Sequence, residues 1–244
     1  RFAGRSLYHS DPARALANAG AHVILNLSAS PFTIGKQTIR RELITKSAQA
    51  HGVDIVYCNM VGGNDELVFD GRSFACDPRG KIVHECAAFC EDFFVIDTSA
   101  DNPAFDLKDM CRDEEILQAL TLGLADYMSK CGFKRAVIGL SGGIDSAVVA
   151  AIACKAIGSE NVLGVMMPSI YSSKESVTDS EKLARNLGMK TSLEPIGNIY
   201  QSYREALGYS SPTDVSLVEE NVQARIRGNI LMALSNKFGW LVLT

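Results

Sequence analysis

The sequence has four histidines, and none lies beyond His84. Chemistry that turns on an imidazole therefore has no candidate over the rest of the chain. Its seven cysteines, Cys58, Cys76, Cys86, Cys90, Cys111, Cys131 and Cys154, include no CxxC pair. That excludes a zinc ribbon or a thioredoxin-like dithiol, and their largely apolar neighbours suggest reduced core thiols. No charge sign dominates: 24 Lys and Arg stand against 28 Asp and Glu, for a net charge of −4, and the cations are scattered. With no basic stripe, neither nucleic acid nor an anionic membrane is expected as a partner. No apolar run approaches the roughly 18 residues of a membrane span, and the first residues show no charged and then apolar leader pattern. With 47% apolar residues and only seven prolines, the composition is that of a folded chain, expected to be soluble and cytoplasmic.

The chain reads as α/β throughout. Ser10-Asp11-Pro12 is a cap with proline at the first helical position, and Gly20 closes the short helix that follows. "AHVILNLSAS" reads as a buried strand, 36–52 as a helix, and "VDIVYCNMV" and "ELVFDGRSFACDPRGKIVHE" as strands separated by turns. Residues 98–112 are polar and turn-prone and read as a linker. Beyond it the pattern alternates: helix 114–130, strand "RAVIGLS", a helix from Asp145, strand "NVLGVMMPS", helix 178–187, a strand near Thr191, helices around Tyr200 and over 217–237, and the strand "WLVLT". Strands alternating with helices imply a doubly wound parallel sheet. A further loop is expected after the last strand.

Within "VIGLSGGIDSAVVAAIACKAIG" the apolar strand ends in a serine and two glycines, and a helix follows at once. In a parallel sheet this junction lies at the carboxyl end, where ligands collect, and a helix start offers unsatisfied N–H groups to an anion. Neither GxxxxGK[ST] nor GxGxxG is present. A carboxylate beside phosphates is repulsive unless a divalent cation lies between them, so Asp145 points to Mg²⁺. A side chain at Gly142 or Gly143 is expected to push backbone away from the phosphates. The same letters, Gly139-Leu140-Ser141-Gly142-Gly143, satisfy the GxSxG of a serine hydrolase, a reading that needs a histidine beyond Thr244. A plain turn without a ligand is the third reading.

"SGGIDS" resembles the PP-loop of ATP pyrophosphatases, which cleave ATP to AMP and pyrophosphate while adenylating a substrate. Together with "NVLGVMMPSIYSSKES", "DSEKLARNLGM" and "EENVQARIRGNILMALSN", it is similar to the NAD synthetase family. "NLSASPFTIGK" and "NMVGGNDELVFDGRSF" are similar to the C-terminal part of the nitrilase-like glutaminase domain that is fused to this enzyme in its glutamine-dependent form. The resemblance implies the C-terminal part of a nitrilase-like α/β/β/α sandwich over 1–97, the linker 98–112, and a truncated doubly wound PP-loop domain over 113–244. It implies ATP-dependent amidation of deamido-NAD to NAD, with Mg²⁺ as cofactor, ammonia or glutamine as nitrogen source, and a homo-oligomer as the assembly.

By the same resemblance ATP lies along Gly139, Leu140, Ser141, Gly142, Gly143, Ile144, Asp145 and Ser146, with Asp145 towards the metal. Asn221 and Arg225 contact deamido-NAD, Ser30 and Lys36 bind glutamine, and Tyr171, Ser172 and Ser173 line the nucleotide pocket. A solvated or subunit-facing role is the alternative for Arg225, on a long helix that also carries Arg227 and Lys237. Asp65 and Glu66 receive no role. The family's Glu, Lys and Cys glutaminase triad would fall before Leu16, where this chain reads "RFAGRSLYHS", so the thiol nucleophile is expected to be absent. An incomplete or non-catalytic fragment of the same enzyme is the alternative.

Overall fold

The computed structural model describes residues 11–208 and 217–244. Ser10 and the "RFAGRSLYHS" stretch lie outside the described residues. By its internal contacts the chain divides into two units, Arg1–Gly123 and Leu124–Thr244.

In the first unit the Asp11 carboxylate accepts from the Arg14 amide and Pro12 occupies the first turn, so helix α1 starts there (Pro12–Asn18). The strand β1 (Val23–Ser28), helix α2 (Lys36–His51) and strand β2 (Asp54–Asn59) follow. Next come a hairpin of β3 (Val61–Asn64) and β4 (Leu67–Asp70), and then β5 (Phe74–Cys76) and β6 (Ile82–Glu85). The main sheet runs β1-β2-β5-β6, parallel between β1 and β2 and antiparallel across the other two pairs.

One face of this sheet is covered. Ile24, Ile55 and Cys76 pack with Ala48 of α2 and with Ala13 and Ala17 of α1. The reading of β1 as a buried strand is corrected here: Leu25 is 71% and Leu27 80% exposed. An apolar run shows that a strand can be buried on both faces, but which face is covered depends on its neighbours. The cysteine reading is corrected as well. Only Cys76 and Cys86 are buried, whereas Cys58, Cys90, Cys111 and Cys131 are exposed.

The stretch read as a linker has no regular structure up to Cys111. It is nevertheless tied to the first unit: Phe105 N donates to Ile82 O, Lys81 Nζ to Asn102 O, and Arg41 pairs with Asp109. Helix α3 (Arg112–Cys131) begins directly after it and contains the division between the units.

The second unit comprises β7 (Ala136–Leu140), α4 (Ile144–Ile157), a short 3₁₀ turn (Ser159–Asn161), β8 (Val162–Met166), α5 (Lys174–Leu187), β9 (Lys190–Leu193), α6 (Gly197–Ala206), α7 (Leu217–Phe238) and β10 (Leu241–Leu243). All strands are parallel in the order β10-β7-β8-β9, the doubly wound sheet read from the sequence. Alternate residues of β7 face opposite layers. Ile138 and Leu140 pack with Ala150, Ala153 and Ala184 of α4 and α5, and Val137 packs with Tyr200, Ile226 and Leu231 of α6 and α7. Helices cover both faces, so here the apolar run does mark a fully buried strand. Helix α5 starts at Lys174 rather than at 178, because the Ser173 hydroxyl accepts from the Ser176 amide and caps it. Among the described residues no helix is long and apolar enough to cross a membrane.

Candidate functional site

Successive connections from β7 lead in one direction to β8 and β9, whereas β10 returns to the other side of β7. That reversal places a topological switch point between β7 and β10, where open parallel sheets form their ligand crevice. A cavity of about 500 Å³ opens at this end of the sheet. It is lined by Gly139, Leu140 and Ser141 at the end of β7, by Met166, Met167 and Pro168 after β8, by Ser172, Ser176 and Val177 around the start of α5, by Ala224, Arg227, Gly228 and Leu231 of α7, and by Thr244 after β10.

The turn from β7 into α4 is held by its own two serines. Ser141 Oγ accepts from Gly143 N at 3.2 Å and lies 3.1 Å from Ser146 Oγ, which donates to Gly143 O at 3.0 Å. These bonds curl the chain over, and Gly142 takes φ +79° at the top. A Cβ at Gly142 would lie 2.7 Å from both Cα and O of Ser176, so this glycine is where the turn meets α5. Gly143 is different, which corrects the expectation that both glycines are needed alike. Its φ is −89°, and an added Cβ would meet only Ser141 Oγ at 3.2 Å.

Gly143 is the N-cap of α4 and supplies no side-chain cap. The first-turn amides thus point out of the turn without the usual side-chain acceptor, as an anion site requires. Asp145 lies in that first turn and is exposed. Its charge there also complements the helix dipole, which is reason enough for an acidic residue even without a metal. Among the described residues no cluster of three or more metal-ligating side chains exists. The donor set suits Mg²⁺ held by one carboxylate, phosphate oxygens and water, and does not suit a dedicated protein cage.

The structure brings only part of the expected site together. Gly139, Leu140, Ser141 and Ser172 line the cavity, whereas Gly142, Gly143, Ile144, Asp145 and Ser146 form the turn beside it. Tyr171 and Ser173 are not in the lining, and neither are Asn221 and Arg225. The exposed Arg225 folds back on its own helix, with Nη1 donating to Asn221 O at 3.1 Å and to Asn221 Oδ1 at 3.3 Å. Arg227, Ser176 and Thr244 were not among the expected pocket residues. The signal for Arg227 was its spacing with Ala224, Gly228 and Leu231 along one helix face.

Ser30 and Lys36 lie in the first unit, tied into a buried polar network. Arg40 Nη1 makes 2.8 Å bonds to both oxygens of Asp70, while Arg40 Nε donates to Ser30 Oγ and Nη2 to Ser30 O. The Ser30 amide donates to Asn59 Oδ1, and Lys36 Nζ to Pro31 O. Burial, with Arg40 nearby, holds the Lys36 ammonium below its usual proton affinity. The hydrolase reading finds no support in the second unit, since Ser141 Oγ is engaged by Ser146 and Gly143 and no histidine occurs in residues 124–244.

Sequence and fold are similar to those of known proteins. The glutamine-dependent NAD(+) synthetase of Synechocystis sp. is 47% identical over 251 residues, covering 100% of this chain and 45% of that protein. That of Thermotoga maritima is 44% identical, covering 92% and 46%. Among solved structures, the glutamine-dependent NAD+ synthetase of Acinetobacter baumannii in complex with ADP superposes with a TM-score of 0.83 at 38% identity, over 93% of this chain and 44% of that one. The chain thus spans about half the length of the curated relatives it matches. The family described as NAD synthase matches residues 116–244, the doubly wound unit with its glycine turn, and the chain belongs to that family.

Proposed function

We propose that the second unit binds Mg·ATP at the Ser141–Gly143 turn and adenylates the nicotinate carboxylate of deamido-NAD, after which ammonia derived from glutamine displaces AMP to give NAD. The observation that carries this reading is a coincidence at one point of the sheet. The switch-point cavity, the uncapped start of α4 and the glycine packed on Ser176 all meet there.

Each group has a role in that chemistry. The amides at the start of α4 hold the β- and γ-phosphates, which leave as pyrophosphate, and the strand end fixes the α-phosphorus beside the incoming carboxylate. Mg²⁺, held by Asp145, would neutralise charge developing on the leaving group. Asn221 and Arg225, paired on α7, are assigned to deamido-NAD, and Ser30 and Lys36 to glutamine. No side chain need act as nucleophile, because positioning and charge neutralisation suffice.

In the same reading, residues 1–97 are the C-terminal part of a nitrilase-like glutaminase joined through 98–112 to the synthetase part. Unfolding in two steps, with Asp70→Ala moving only one, is the expected sign of that division.

Replacing Asp145 by Asn keeps the shape of the turn and removes the charge. Calorimetric titration of ATP with and without Mg²⁺ should show the Mg²⁺-dependent gain in affinity shrinking by about tenfold, or about 1.4 kcal/mol. Stability should fall by less than about 1 kcal/mol, the size of a helix-dipole contact. Equal Mg²⁺-dependent gains in parent and variant would remove Asp145 from the metal site.

A further inference from the structure

Arg227 is half-buried, and its guanidinium has a fixed orientation. Its Nε donates to Met167 O at 3.1 Å, the backbone just beyond β8, while the group borders the cavity. Among the described residues no carboxylate pairs with it, whereas Arg40, Arg41, Arg72 and Arg204 all have acidic partners. Burial lowers the Arg227 pKa, with no opposing contribution from an acid. A cation taken partly out of water without a counter-charge is costly unless something else supplies that charge. The next residue, Gly228, also borders the cavity, and a Cβ there would have nothing within 4 Å, so α7 leaves open space beside Arg227.

We infer that Arg227 is an anion-binding residue of this cavity, with its Nη groups donating to phosphate oxygens of the nucleotide. The inference rests on the reading of the pocket as an ATP site and adds a residue to it. Met167 O holds the fork at Nε, so both Nη groups remain for a bidentate contact, the geometry in which arginine binds phosphate best. Arg225, two residues earlier, turns away from the cavity and is bonded to Asn221. The ligand expected at Arg227 is the polyphosphate of a nucleotide rather than its base.

The test compares ATP, inorganic pyrophosphate and adenosine, titrated calorimetrically into the parent, Arg227→Gln and Arg227→Lys. The glutamine variant keeps a donor for Met167 O but loses the charge, and the lysine variant keeps the charge without the fork. Arg227→Gln should weaken ATP and pyrophosphate by tenfold or more and leave adenosine unchanged, with Arg227→Lys in between and a melting temperature near the parent's for both. Equal ATP affinity in parent and Arg227→Gln, or an equal loss for ATP and adenosine, would overturn the assignment. A parent that binds pyrophosphate through Arg227 but not ATP would leave the anion site standing and sink the nucleotide reading. A parent that binds neither would sink both.

Discussion

Gly142→Ala should weaken Mg·ATP binding by about 10- to 100-fold, while Gly143→Ala changes it by less than about threefold. The two residues are neighbours in one turn, but their surroundings differ. Gly142 has φ +79°, where an L-residue costs about 1–2 kcal/mol, and its added Cβ would lie 2.7 Å from the Ser176 backbone. Ser176 belongs to the first turn of α5, and backbone there cannot rotate aside as a side chain could. Either the turn rises or the start of α5 moves, and both Ser141 and Ser176 line the cavity. Each tenfold loss corresponds to about 1.4 kcal/mol, so strain and displacement of this size account for the range. Gly143 is extended at φ −89° and would have only the Ser141 hydroxyl to accommodate. Titration of Mg·ATP into both variants decides the matter, and equal affinities would mean that the turn does not hold the phosphates.

The largest effect on stability is expected in the first unit. The Asp70 side chain is 2% exposed and that of Arg40 is 6%. Arg40 also holds Ser30 through Nε and Nη2. Asp70→Ala leaves the guanidinium buried without its counter-charge, which typically costs about 3–5 kcal/mol. Replacing both partners, as Asp70→Ala with Arg40→Met, removes the stranded charge and should restore part of that loss. Denaturant unfolding should show the drop in the step assigned to the first unit, with the step of the second unit unchanged. A loss below about 1 kcal/mol for Asp70→Ala would show that water reaches Arg40 and that the network is not the closed one described.

The legible parts of this molecule are those where burial is decided within a short stretch. The strands within "RAVIGLS" and "NVLGVMMPS" are apolar because helices cover both faces of β7 and β8, and such a run with a glycine turn and a helix after it marks the end of the sheet where parallel folds form their ligand crevice. "AHVILNLSAS" looks the same in the sequence, but in β1 only Ile24 meets a helix layer while Leu25 and Leu27 face outward. Composition carries no information about which face is covered. The choice between Arg225 and Arg227 turns on a related point, since helical spacing groups Arg227 with Ala224, Gly228 and Leu231 but does not say which face of α7 meets the cavity. Both are arginines on one long helix, and the rotational phase of α7 against the sheet brings Arg227 to the cavity, whereas Arg225 bonds back to Asn221 on its own helix. The turn itself was readable as a motif, but the unequal demands on Gly142 and Gly143 depend on Ser176, 34 residues away in the chain.

In the proposed reaction this chain splits ATP between the α- and β-phosphates in order to activate a carboxylate. Exchange of labelled pyrophosphate into ATP measures that step directly, since it requires reversible formation of an adenylate. Exchange should depend on deamido-NAD, need Mg²⁺ and fall in Gly142→Ala as its ATP affinity falls. Conversion of ATP to ADP and phosphate, or exchange that proceeds equally without deamido-NAD, would contradict it.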